Sequence, residues 1–478
     1  MEKSDLHTLI AFNRNEAVIT EVIEIILDIM AELELSPAEL LDKVILFKRD
    51  YMTVRNILYD FPGSRTMDFG PRPYTNGKFI RHVAFRRQKD EPIHQLRFVE
   101  PVIGLFHLQM CILGTIYKAH WGSEEGREPA FISRFVKLLG KPGILSPKVK
   151  DFRSYAQLFD QILDSYIIPI AAEKVKAVSE HDFHQPLGDT NWPRLIEAIV
   201  EDIFPADHGI ARVHRMRYGS DWVEVPLVEH DLPFEKFLLL CQQGLVYRDY
   251  SAAISTGDTG RLKHILSIWT TQLHGTANTN YPRELIHLMG CLTKIWTPEM
   301  RDIWMRNCLV NPPGEKGKWM PDDLFGEYVV REIKLKVNPS TNIRSDRHLR
   351  EIVGSQVMSL FACKKAMVRE CKSQHYGTRS TALSTSFDVL YHTRTLLEEG
   401  VGRFTPNRAH DENGAEYLSV SDLLSDGARK LATGVPLNMY KERARYHWIS
   451  GSGLEDDEDS EDREVDPLGE GSSLDDIL

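Results

Sequence analysis

The feature that most constrains this chain is a helical hydrophobic period running almost unbroken from about residue 108 to residue 305. Apolar residues recur at three- and four-residue steps through Leu108–Ala119, Phe152–Ala171, Trp192–Ile203, Phe234–Leu245 and Pro282–Ile295. A chain built on such segments must bury several helix faces against one another. No repeat of 20–50 residues is visible, which argues against a solenoid.

Ahead of the helical stretch lie two short apolar runs of a different kind. Val44-Ile45-Leu46-Phe47 is continuous, stops at Lys48-Arg49-Asp50, and reads as a buried strand. Leu96–Val99, followed by Pro101 and then Gly104-Leu105-Phe106-His107, reads as a second strand running into a helix. Asn15–Leu33 predicts an amphipathic helix. Ser36, Pro37 and Glu39 form a start signal with a capping box. The proline- and glycine-rich stretch 62–77 reads as a loop or flap. Beyond the helical region, a loop at Asn311–Met320 precedes a helix opening at Pro321-Asp322-Asp323. The expected fold is mixed α/β and predominantly helical, a small α/β part interrupted by a large helical insertion. The expected divisions are 1–110 (α/β), 111–305 (helical insertion), 306–450 (acidic helix and basic helical part completing the core) and 451–478 (disordered acidic tail).

Charge distribution sharpens this. The formal net charge is −11. Glu455–Leu478 carries 12 acidic residues against one basic, so the tail accounts for the whole deficit and the remaining chain is neutral. Within that neutral part, Arg331–Arg379 holds 11 basic and 4 acidic residues. Arg344, Arg347 and Arg350, then Lys364, Lys365, Arg369 and Lys372, could track phosphates along a helix, although a solvated face explains many such runs equally well. DNA is the partner this segment would take. No apolar run reaches 18 residues and the first residues lack an apolar signal core, so no membrane partner and an intracellular, non-secreted location are expected, the nucleus included. The six cysteines show no Cys-x-x-Cys pair, a pattern that fits reduced thiols better than disulfides or a zinc site.

Several residues could carry chemistry. Asp50 follows a buried strand, at the sheet edge where sites collect, or it simply caps the next helix. His107 sits at a helix start after the second strand, as a ligand, a base or a packed histidine. Asp323 and Glu327, four apart, share a helix face and could hold Mg²⁺; an Asp in a first turn also complements the helix dipole. His274, Asn278 and Asn280 lie in a polar stretch that is either a functional loop or a turn. His181, His184, His208 and His214 are close in sequence but lack the spacing of a metal helix. No phosphate-binding glycine loop or serine-nucleophile motif is present.

Asp50-Tyr51-Met52-Thr53, Pro101 to Met110, Gly257-Asp258-Thr259-Gly260-Arg261, Asn280-Tyr281 with Glu284-Leu285, Leu309-Val310-Asn311, and Asp323-Leu324 with Glu327 occur in the order of an uncharacterised family. The chain resembles, over roughly residues 40 to 335, a domain-of-unknown-function family abundant in mushroom-forming fungi. More distantly, its layout looks like RNase H-like transposases of the hAT type. That resemblance implies Asp50 as the first metal-binding acid, Glu327 or Asp323 as the third, and Mg²⁺ as the cofactor of phosphodiester chemistry. Departures are the Leu105 where an acid is expected before His107, the Lys48-Arg49 where a glycine is expected, and the short spacing from Asp50 to His107. They imply a degenerate site in a mobile-element-derived, nucleic-acid-binding protein. A non-catalytic helical interaction scaffold is the alternative.

Overall fold

The computed structural model describes residues 19–36, 39, 45–49, 99–123, 128–140, 143–144, 146–179, 192–203, 215–218, 221–224, 231–277, 281–336, 359, 363, 385–411 and 414–438. Within them the elements run α1 (Ile19–Glu32), β1 (Ile45–Arg49), β2 (Val99–Ile103), α2 (Leu105–His120), α3 (Ile132–Leu138), α4 (Phe152–Ser179) and α5 (Trp192–Ile203). Next come β3 (Arg215–Tyr218), β4 (Asp221–Glu224), α6 (Leu232–Thr256), α7 (Thr259–His274) and α8 (Tyr281–Gly290). A π-helical turn (Cys291–Ile295) leads to α9 (Pro298–Asn307), β5 (Leu309–Val310), β6 (Met320–Pro321), α10 (Asp322–Lys336), α11 (Thr385–Glu398) and α12 (Leu423–Ala432). The fold is mixed α/β and predominantly helical, as the hydrophobic period requires.

Local rules account for most boundaries. Ser36 and Glu39 make the expected capping box: the Ser36 amide and hydroxyl both donate to Glu39 Oε2, at 2.9 and 2.7 Å. Asp231 caps α6, accepting from Phe234 N, and Gly257 ends that helix at φ 74°, a left-handed stop that suits glycine. Asp258 then caps α7 at once, accepting from Arg261 N at 2.9 Å.

Three expectations need correction. The second strand is described over Val99–Ile103, so it continues past the expected end at Val99 and through Pro101; residues 96–98 lie outside the described residues. Pro101 lies opposite Phe47 in a sheet that has only two strands among the described residues, and an edge strand tolerates the missing N–H. The helical middle is interrupted by an antiparallel hairpin, β3 with β4. Finally, α6 begins at Leu232, two residues before Phe234, and runs on to Thr256, eleven residues past Leu245.

One hydrophobic cluster gathers residues from all three expected folded segments, from Val102 through Trp269 and Trp304 to Val401. The C-terminal helices complete it, with α11 lying on α4 and α12 on α7. Pro169 inside α4 cannot donate to the carbonyl of Ser165, and Thr393 of α11 donates its hydroxyl to that carbonyl instead, at 3.3 Å. At the α7–α12 contact, a Cβ added at Gly275 would fall 1.9 Å from Leu423 O, and one at Gly427 would fall 1.8 Å from Thr271 O. Only glycine lets the two backbones approach so closely. No described helix is long and apolar enough to cross a membrane.

Candidate functional site

Strands β1 and β2 pair in parallel, Ile45 opposite Val99 and Arg49 opposite Ile103. Their carboxyl ends therefore lie together, and α2 begins there. A helix start exposes amide donors that need partners. The N-cap of α2 is Gly104, which has no side chain to offer. The missing cap comes from a residue more than 200 positions further along the chain. Asp323, in the first turn of α10, accepts from Phe106 N at 3.1 and 3.0 Å and from His107 N at 3.1 Å. It also meets His107 Nδ1 at 3.0 Å, so that nitrogen carries the hydrogen. These are the second and third amides of α2, the donors an ordinary N-cap aspartate would satisfy. The carboxylate also sits at the positive end of the helix dipole.

Gly104 makes this approach possible. Its backbone, φ −72° and ψ 137°, is open to any residue, but a Cβ there would lie 2.3 Å from Asp323 Oδ2. Tyr250 anchors the same turn by donating to Leu105 O at 2.9 Å, and Gln109 reaches Ser251 Oγ at 3.0 Å. Glu327, one turn along α10, places Oε1 3.9 Å from His107 Nε2. Thus His107 is brought together with Asp323 and Glu327, which follow it by more than 200 residues of chain, at the sheet edge. The Asp323 side chain is 4% exposed and that of Glu327 54%.

The other expected residues divide. Asp50 lies outside the described residues, as do Asn278 and Asn280, the basic set Arg344, Arg347, Arg350, Lys364, Lys365, Arg369 and Lys372, and His181, His184, His208 and His214. His274 is the last residue of α7 rather than part of a loop. It is buried, its Nδ1–H donates to Thr270 O at 2.7 Å, and burial lowers its pKa.

A second cluster lies on the same strand, four residues before Gly104. Glu100 of β2, His287 of α8 and Cys291 of the π turn place one ligand atom each within 4.8 Å of one another. Trp296 Nε1 donates to Glu100 Oε1 at 3.3 Å. Sequence reasoning missed this group. Two of its three members were visible, since His287 and Cys291 stand at the four-residue spacing that shares a helix face. The third member comes from a strand, which no local spacing announces.

A profile of the family of unknown function DUF6589 matches residues 74–380, about two thirds of the chain. The chain belongs to the DUF6589 family. The DUF6589 match takes in β2, α2, α8, α10 and every residue of both clusters, and it leaves α11 and α12 beyond its end. Comparison with curated proteins and with solved structures gives no match.

Proposed function

We propose that this DUF6589 chain is a mobile-element-derived, RNase H-like protein that binds nucleic acid and whose phosphodiester site is degenerate. One observation carries the reading: an acid-bearing helix, α10, returns after a long helical stretch to the carboxyl edge of a parallel strand pair and meets His107 there. That is the layout an interrupted RNase H-like core would leave behind. The described residues do not fit a two-Mg²⁺ centre. Both oxygens of Asp323 are taken by α2, Leu105 stands where an acid would be needed, and Glu327 alone presents an open carboxylate. No cleavage step is therefore derived, and binding without cutting is the function proposed. A fungal origin for the family and a nuclear location belong to the same reading.

The basic residues between 331 and 379 would supply the phosphate contacts. Duplex DNA titrated at several salt concentrations tests this. Binding should weaken steeply with salt, and replacing Arg344, Arg347 or Arg350 by Ala should each lower the log–log salt slope by about 1. Added Mg²⁺ should yield no products, whether position 50 is Asp or, in Asp50→Asn, Asn. Absence of salt-dependent binding would overturn the reading. It would leave the helical interaction scaffold, which is favoured by the purely architectural use of Asp323.

A further inference from the structure

We propose that the outer face of α11 pairs with the same face of a second copy of this chain, as two antiparallel helices related by a two-fold axis. The pairing is independent of the nucleic-acid reading, and α11 lies beyond the end of the DUF6589 match.

The helix is apolar on two opposite sides. Its inner side carries Val389, His392, Thr393 and Leu396, all buried. Ser165 Oγ of α4 meets His392 Nδ1 at 2.7 Å, and the Thr393 hydroxyl donates to Ser165 O, which fixes the rotation of α11 about its own axis. On the opposite side, Phe387, Leu390, Tyr391 and Leu397 recur at three- and four-residue steps and are each 45–71% exposed. The Phe387 and Tyr391 rings lie parallel, 6.4 Å between centroids and 10° between planes, and join into one surface. A helix apolar all round belongs between two bodies, not on the outside of one.

The stripe itself selects a second copy as the occupant. Its cation, Arg394, lies at the centre of the outward face and pairs with Glu398 of the same helix at 3.1 Å. Parallel pairing would set Arg394 against Arg394. Antiparallel pairing about an axis level with the His392–Thr393 bond instead sets Arg394 level with Tyr391 of the second copy, a cation against an aromatic ring. The same rotation brings Leu390 and Phe387 to Leu397 of the second copy. Each contact occurs twice, as a two-fold axis requires. The area is sufficient as well. A whole aromatic side chain offers about 150–250 Å², so the exposed parts of the four apolar residues come to roughly 400 Å² per copy, the size of a functional patch. Face to face and with their polar rims, two such patches bury roughly 1,000 Å², enough for a specific, reversible dimer. Asp388 and Glu398 outweigh Arg394 on this helix, which disfavours nucleic acid as the occupant.

Full-length protein sedimented at about 1 to 200 μM should pass reversibly from one chain to two, with a Kd on the order of 10 μM. Added NaCl should leave this equilibrium in place, unlike DNA binding. Leu390→Glu and Leu397→Glu should each weaken pairing by at least about tenfold, since each would bury a carboxylate at the seam. In dilute solution, where the chain is single, both variants should keep the wild-type melting temperature because these positions face water there. Ile303→Glu, at an exposed apolar position on α9, should leave pairing unchanged. A wild-type chain that stays single throughout the range overturns the proposal, as does pairing that survives Leu390→Glu. A lowered melting temperature for dilute Leu390→Glu would show that the chain's own residues cover the face, and overturns it equally.

Discussion

Asp323 shows how a residue can be found for one reason and used for another. Its spacing from Glu327 marks a shared helix face, and the structure puts both beside His107. Its work, however, is to cap a helix that starts 218 positions earlier, at Leu105. Caps are sought next to the helix in sequence, so this one was illegible there. The only hint was negative, a glycine at the N-cap of a helix that begins with apolar residues. Asp323→Ala should cost about 1–2 kcal/mol of stability in urea titrations, the range of a lost N-cap, with Asp323→Asn milder because an amide oxygen still accepts. Gly104→Ala provides an independent check. Its backbone angles suit alanine, so any loss must come from the 2.3 Å encounter with Asp323. A Gly104→Ala chain as stable as wild type would show that α10 is not held against α2.

Among elements, the helices were the legible part because burial on one face imposes their period. Trp192–Ile203 matches its expected bounds, and the helix opening at Asp322 starts where its acidic first turn says it should. The expected end of β2 at Val99 came too early for a physical reason: Pro101 argues against a central strand, and with only two strands in the sheet among the described residues that argument does not apply. The β3–β4 hairpin was missed because Arg215–Tyr218 and Asp221–Glu224 are four-residue strands of mixed character, too short for a period to register. The α7–α12 contact was equally hidden, since glycines at 275 and 427 look like ordinary breakers until the two backbones meet. Gly275→Ala and Gly427→Ala should each lower stability by about 1–3 kcal/mol, the scale of overpacking. The double variant should lose less than the sum, because the two sites relieve the same separation. Additive losses in urea titrations would argue that the helices part only locally.

At the scale of the whole molecule, buried histidines set the response to pH. His120 is held near pKa 4 by burial, with Gln243 beside it opposing the shift, and His392 near 3 by burial and then by Arg134. In the unfolded chain both titrate near 6.5. Their contribution is complete above 6.5 and is lost as pH falls, about 2 kcal/mol per histidine by pH 5. Glu235 works in the opposite sense. Burial, with Asp231 adjacent, raises it to about 8, so its contribution is complete below about 4.5 and is lost as pH rises through 8. Comparing each variant with wild type separates the two: His392→Gln should flatten the decline between pH 7 and 5, and Glu235→Gln the decline toward pH 8. Unchanged slopes would mean that these groups meet water. The shared main cluster also sets an order of assembly during synthesis. The helix α2 leaves the ribosome 216 residues before the carboxylate that completes its first turn at His107. At typical elongation rates that is a wait of about 10 to 40 s. Through that interval the bare amides at the strand edge are open to any passing anion, so this corner of the nascent chain is where a chaperone would have the most to shield.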